Sequence, residues 1–87
     1  MAIYTKEYDS TKKSKDRVKA EIVFELEKLG YNKYLTWKEF VFTASVGWGS
    51  VLSLEGNITD DSIIINKCSG AFGSKVLDKI KELSNTI

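Results

Sequence analysis

The first long hydrophobic pattern in the chain has the spacing of an amphipathic helix. Its apolar positions, three or four residues apart, are Val18, Ile22, Leu26 and Leu29. This spacing places the side chains on one helix face, and Gly30 follows at the position where glycine is favoured beyond a helix end. The segment 9–11, Asp-Ser-Thr, supplies side chains that cap a helix start. We therefore predict a helix over residues 11–29.

Residues 34–58 change to alternation with period two, which is typical of strands with one buried face. The apolar alternate positions are Leu35, Trp37, Phe40, Phe42, Ala44, Val46, Leu52, Leu54 and Ile58. Gly56 interrupts this series where a β-bulge or a sharp twist is least costly. Segment 2–8 predicts a short first strand, and segment 63–68 predicts a last strand after an Asp-Asp-Ser turn.

A second helical pattern lies near the end of the chain. Its apolar positions are Val76, Leu77, Ile80 and Leu83, and Ser69 and Ser74 are alternative caps for its start. The predicted element order is β-α-β-β-β-β-α. We predict one α+β domain over residues 1–87, in which an antiparallel sheet of three to five strands carries two helices on one face. The other face is left for solvent or a partner.

Composition argues against several classes of function. The 87 residues include 13 Lys or Arg against 12 Asp or Glu, so no general attraction to nucleic acid or anionic membranes is expected. Histidine is absent and Cys68 is the only cysteine, which excludes an intrachain disulfide and a thiolate zinc cluster. We expect a non-enzymatic protein with no metal and no cofactor. Without an apolar run long enough for a signal peptide or membrane span, we expect a soluble cytoplasmic protein.

Three short motifs with known chemical uses have simpler structural interpretations. Asp60 and Asp61 are adjacent at a predicted turn, where carboxylates usually point apart and support the turn. Cys68 lies beside Lys67 without a proton acceptor, which favours a small buried side chain over a reactive thiol. Segment 69–75, Ser-Gly-Ala-Phe-Gly-Ser-Lys, could present amides to a phosphate, although glycines before a helix more often allow close packing.

A basic segment coincides with the predicted start of the first helix. Its side chains are Lys12, Lys13, Lys15, Arg17 and Lys19. Positive charge opposes the dipole at a helix N-terminus, so exchanging Lys12, Lys13 and Lys15 for glutamate is expected to leave stability unchanged or raise it slightly. The simplest interpretation is a solvated face balanced by acidic residues further along the helix. The alternative is a basic patch with a role in binding.

Trp48, one of two tryptophans, lies between Gly47 and Gly49. If this segment is a hairpin tip, the glycines supply positive backbone angles and the indole projects from the end of the sheet. If the indole folds back, it covers the core near Phe42 and Leu52. We adopt the first alternative and predict that Trp48, with Gly47 and Gly49, contacts a partner, because exposed tryptophan is enriched in binding surfaces.

Helix, three strands, helix is the order of a double-stranded RNA-binding domain. Such domains hold phosphates with a basic cluster that opens the last helix, whereas here the lysines are scattered with Asp78 among them. RNA binding therefore ranks third among our hypotheses.

The segments "DST", "GWGSVLSL", "ITDDSIII" and "GAFGSKVLDKIKEL" together resemble the small proteins of the polyhydroxyalkanoate-granule-region family. The matching positions are Gly49, Asp60, Asp61, Gly70, Phe72 and Ile80. The resemblance covers nearly the whole chain and consists of similar residue types at similar spacings. It implies a compact α+β domain that associates with an apolar surface, and it transfers no catalytic residue.

The first hypothesis is a non-enzymatic binding module that contacts a protein or an apolar surface, such as that of a granule. The alternative is a small stoichiometric inhibitor of a host macromolecule, of the kind that phages or mobile elements encode, since blocking requires no catalytic group. The sequence leaves the partner and the oligomeric state open.

Overall fold

Two helices and five strands follow one another in the predicted order β-α-β-β-β-β-α. A computed structural model describes residues 2–85. The elements are β1 (Tyr4–Glu7), α1 (Lys15–Lys28), β2 (Leu35–Lys38), β3 (Val41–Val46), β4 (Leu52–Ile58), β5 (Ser62–Ser69) and α2 (Gly73–Asn85).

The five strands form one antiparallel sheet in the order β1-β5-β4-β3-β2. Helix α1 contacts α2 and β4, and α2 contacts β1, β4 and β5, so both helices cover the same face. The buried hydrophobic side chains between helices and sheet are Tyr8, Val18, Ile22, Leu26, Phe42, Ala44, Leu52, Leu54, Ile58, Ile63, Ile65, Val76, Ile80 and Leu83. The predicted α+β architecture is therefore confirmed, and no helix formed by residues 2–85 covers the opposite face of the sheet.

Gly56 is the site of the predicted irregularity in β4. The register of β4 against β5 shifts between Glu55 and Gly56, which confirms an irregularity at this position, although the residue skipped by the pairing, Asn66, lies on β5. A Cβ atom at Gly56 would lie 2.6 Å from the carbonyl oxygen of Ile64 and 2.6 Å from Cζ of Phe42. Phe42, directly opposite on β3, is fully buried. The missing side chain therefore makes the room that the Phe42 ring occupies.

Helix α1 begins later than the predicted residue 11. Ser14 is its N-cap, and the Ser14 hydroxyl accepts a hydrogen bond from the Arg17 amide at 3.2 Å. Asp9 instead closes a separate turn, because its carbonyl accepts from the amides of Lys12 and Lys13, at 3.0 Å each. The prediction that segment 9–11 caps the helix is wrong, since aspartate side chains also stabilise isolated turns. Lys12 and Lys13 consequently precede the helix.

Two further predicted positions differ in the structure. Phe40 lies with Glu39 in the turn between β2 and β3, where Glu39 has a φ of 57°, so its predicted place in a strand is wrong. Helix α2 begins at Gly73, and neither predicted cap precedes it directly. Ser69 belongs to β5, and Ser74 lies inside the helix. Within residues 2–85, no helix is both long and apolar enough to cross a membrane.

Candidate functional site

The turn between β3 and β4 presents Trp48 to solvent. Gly47, Trp48 and Gly49 form a short 3-10 turn with φ angles of 60°, 59° and 91°. Trp48 has an exposed fraction of 104%, so its indole is fully outside the core. The alternative in which Trp48 covers the core is therefore wrong. A left-handed conformation costs a residue with a side chain about 1–2 kcal/mol, which the surrounding turn must offset.

Close packing inside the turn keeps its backbone in this conformation. A Cβ atom at Gly47 would lie 2.8 Å from Cγ2 of Val51, so only glycine fits there without a shift. The Gly47 carbonyl accepts from the Ser50 amide at 3.0 Å and from the Ser50 hydroxyl at 2.6 Å. The Val51 amide donates to the Val46 carbonyl at 3.2 Å. These contacts fix the turn without using the indole.

The loop before α2 is attached to the same turn. The Ala71 amide donates to the Ser50 carbonyl at 3.0 Å, and the Phe72 amide donates to the Val51 carbonyl at 2.8 Å. Phe72 is 42% exposed, and its ring centroid lies 6.2 Å from that of Tyr31. We call Trp48, Phe72 and Tyr31 the aromatic end of the domain. No pattern in the sequence marks Phe72 and Tyr31 as contact residues, because backbone hydrogen bonds between distant segments bring Phe72 beside the turn, and Tyr31 is placed by its ring contact with Phe72.

The same hydrogen bonds decide the phosphate hypothesis for segment 69–75. The amides of Ala71, Phe72 and Gly73 donate to carbonyls of Ser50, Val51 and Gly70, respectively. An amide already bonded to a carbonyl is not available to an anion. These three amides are therefore not available to a phosphate, and the close-packing interpretation is confirmed at Gly70, where a Cβ atom would lie 2.6 Å from the carbonyl oxygen of Val51.

Lys13 does not belong to a solvated basic face. Its side chain is 8% exposed, and its Nζ lies 2.7 Å from Oε2 of Glu21, which is 24% exposed. Arg17 Nε lies 3.5 Å from Oε1 of the same carboxylate. The interpretation of the basic segment as a solvated face is therefore wrong at Lys13. Because Lys13 precedes helix α1, its side chain can lie along the helix surface and reach Glu21.

Lys15 and Lys19 are directed to the turn between β2 and β3. Lys15 Nζ lies 4.6 Å from the Phe40 ring centroid and 3.3 Å from Oδ1 of Asp60. Lys19 Nζ donates to the Glu39 carbonyl at 3.1 Å and lies 4.8 Å from the centroid of the Trp37 ring. Lys13, Lys15, Arg17 and Lys19 thus have partners within the domain, while Lys12 is exposed.

The adjacent aspartates form the turn between β4 and β5, as predicted. Asp61 Oδ1 accepts from the Ser62 hydroxyl at 3.2 Å and from the Thr59 hydroxyl at 3.3 Å. The neighbouring carboxylate, Asp60, contacts Lys15 on α1 instead. The two carboxylates therefore have separate partners, and the structural interpretation of this pair is confirmed.

Cys68 is half-buried beneath the start of α2. Its thiol donates to the Gly73 carbonyl at 2.9 Å, and burial raises its pKa above the ordinary value of a cysteine. Because the thiolate is the nucleophilic form, these surroundings favour an inert thiol. In the part of the chain that the structure describes, no group of three or more His, Cys, Asp and Glu residues is placed to hold a metal ion.

We expect dialysis against a chelator to leave the melting temperature unchanged. A structural metal contributes its binding free energy to folding, so removing one lowers stability strongly. Thermal melts of the dialysed protein and of a sample resupplied with zinc measure the effect. A melting temperature several degrees lower after dialysis, restored by zinc, would contradict the prediction.

Comparisons with protein-family models, with curated proteins and with solved structures find no match to this chain.

Proposed function

We propose that this protein is a non-enzymatic binding module that contacts a protein or an apolar surface through Trp48. One observation carries the proposal: the chain holds a fully exposed indole on a closed turn, in a backbone conformation unfavourable to tryptophan. An indole of roughly 200 Å² gains about 4–6 kcal/mol when a partner removes it from water, before the costs of association. That gain is absent from the free protein.

The surroundings of Trp48 support a contact surface larger than one side chain. Phe72 and Tyr31 form a further aromatic pair on the loop side, and the hydrogen bonds of Ser50 and Val51 hold the turn and the adjoining loop together. Binding through a rigid turn loses little conformational entropy, which favours affinity. Central aromatic anchors of this kind carry most of the energy of many interfaces.

The chemistry of the partner separates the remaining hypotheses. An apolar granule surface and a host macromolecule blocked by a stoichiometric inhibitor would both bury the aromatic end. RNA binding has less support, because the basic side chains beside α1 contact carboxylates and aromatic rings of the domain itself. We therefore propose the apolar contact first and RNA last.

We expect Trp48→Ala to leave the free energy of unfolding within about 0.5 kcal/mol of the wild type, because surface substitutions away from structural contacts have small effects. The same variant should lose its partner. Thermal melting measures the first effect. Quantitative mass spectrometry of proteins captured from a lysate of the source cells, with binding to apolar polymer beads in parallel, measures the second.

Phe24→Ala is the matched control, since Phe24 is an exposed aromatic residue of α1 outside the aromatic end. It should retain both stability and binding. One macromolecule recovered in stoichiometric amount by the wild type and Phe24→Ala indicates a protein partner, and retention on beads alone indicates an apolar surface. A loss of about 3 kcal/mol in Trp48→Ala, or full binding by that variant, would overturn the proposal.

A further inference from the structure

The sheet face opposite the helices, which we call the open face, carries a cluster of hydroxyl groups. Thr36 on β2 lies directly opposite Thr43 on β3, which in turn lies opposite Glu55 on β4. Ser45 and Ser53 are opposite each other in the next row of the same face. Because alternate residues of a strand share a face, these side chains project from neighbouring positions on three strands.

A shallow depression of about 340 Å³ lies among these side chains. Ala44 and Leu54, whose side chains are buried on the core side, lie beneath it, and the exposed ring of Tyr34 stands at its margin. Small-molecule sites usually measure about 300–1,000 Å³, so the depression has room for a ligand at the small end of that range.

The polar groups around the depression are free to bind a ligand. Among the described residues, no hydrogen bond or ion pair within the protein engages the side chains of Thr36, Thr43, Ser45, Ser53 or Glu55. Elsewhere the domain pairs comparable groups: the Ser50, Thr59 and Ser62 hydroxyls all donate hydrogen bonds within the protein. The depression therefore gathers unused donors and acceptors at one place.

We propose that this depression binds a neutral saccharide of one or two pyranose rings. Serine and threonine hydroxyls both donate and accept, which matches the hydroxyls of a sugar, and the Glu55 carboxylate can accept from two of them. The Tyr34 ring supplies an apolar surface for the C–H face of a pyranose. This site lies on the open face, apart from the aromatic end, and the inference goes beyond the proposed function.

Charge favours a neutral ligand over a phosphate or a nucleic acid. Glu55 is the charged side chain that lines the depression, and it repels an anion. Lys67 on β5 lies directly opposite Glu55, so these two charges offset each other and give the depression no excess of positive charge. Lys33 Nζ lies 5.3 Å from the Tyr34 ring centroid and is directed to that ring. Proteins that bind phosphates through a surface instead present clustered lysines or arginines.

The test is a titration of the whole protein with each of six sugars: glucose, galactose, mannose, N-acetylglucosamine, maltose and cellobiose. Two-dimensional NMR spectra measure the amide chemical shifts at each sugar concentration. We expect at least one of these sugars to give saturable shifts at Thr43 and Ser53. Thr43→Val removes one hydroxyl without changing side-chain shape much, and we expect the affinity to fall about three- to tenfold.

Thr5→Val is the matched control, because Thr5 lies on the open face of β1, away from the depression. It should bind the sugar with unchanged affinity. Trp48→Ala should also bind normally, so this test fails or succeeds independently of the proposed function. The absence of a saturable shift with every sugar, equal affinity in Thr43→Val, or shifts at these amides with sodium phosphate alone would overturn the proposal.

Discussion

Gly56→Ala is expected to lower the free energy of unfolding by about 3 kcal/mol or more. The added Cβ would lie 2.6 Å from the Ile64 carbonyl oxygen and 2.6 Å from the Phe42 ring. The first contact is with the backbone of β5, which a rotamer change cannot move. Since small domains are stable by only about 5–15 kcal/mol, much of the protein would unfold on mild heating.

Gly73→Ala provides the matched control for Gly56→Ala. A Cβ at Gly73 would lie 3.4 Å from the nearest backbone atoms of Cys68, which is ordinary contact, and Gly73 is the first residue of α2. Alanine is favoured over glycine in a helix by up to about 1 kcal/mol, so this variant should be as stable as the wild type or more so. Urea unfolding of both variants measures the difference.

A second substitution identifies which contact makes Gly56→Ala unstable. Phe42→Leu in the Gly56→Ala background frees space at the ring contact but leaves the Ile64 carbonyl in place. We therefore expect the double variant to lose less stability than the sum of the losses in the two single variants, while remaining less stable than the wild type. Gly56→Ala with the melting temperature of the wild type would show that β4 and β5 separate easily at the bulge, contrary to our interpretation.

The fold was predictable because its main signals are local. Spacing of three or four residues from Val18 to Leu29 and alternation from Phe42 to Ile58 follow directly from which side of each element is buried. The bulge at Gly56 was predictable for the same reason. Its physical cause was not, because the Phe42 ring and the Ile64 carbonyl approach Gly56 from other strands.

The boundary errors came from competition between equivalent polar groups. Both Asp9 and Ser14 can cap a helix, and only the geometry shows that Asp9 closes a separate turn while Ser14 accepts from Arg17. The exposure of Trp48 was equally undecided, since its placement depends on how Val51 packs against Gly47. Alternation indicated an open face, but the depression among Thr43, Ser53 and their neighbours depends on register and sheet shape.

Lys13→Glu is expected to lower the free energy of unfolding by about 2–4 kcal/mol, which reverses the expectation drawn from the sequence. A carboxylate near the start of α1 gains a few tenths of a kcal/mol from the helix dipole. Removing one partner of a buried ion pair costs about 3–5 kcal/mol, reduced here because Glu21 is partly exposed. The substitution also places two carboxylates where one cation and one carboxylate lay 2.7 Å apart, so the unfavourable effect dominates.

Lys12→Glu is the control for Lys13→Glu, because Lys12 is exposed on the same turn, and its effect should stay within about 0.5 kcal/mol. Exchanging the charges, in Lys13→Glu with Glu21→Lys, should recover part of the lost stability. Recovery is incomplete because the new lysine would face Arg17, whose Nε lies 3.5 Å from the present carboxylate. Urea unfolding of the four proteins of this double-mutant cycle gives the coupling between the two positions. A coupling near zero, with Lys13→Glu as stable as the wild type, would show that the dipole outweighs the ion pair and would restore the expectation drawn from the sequence.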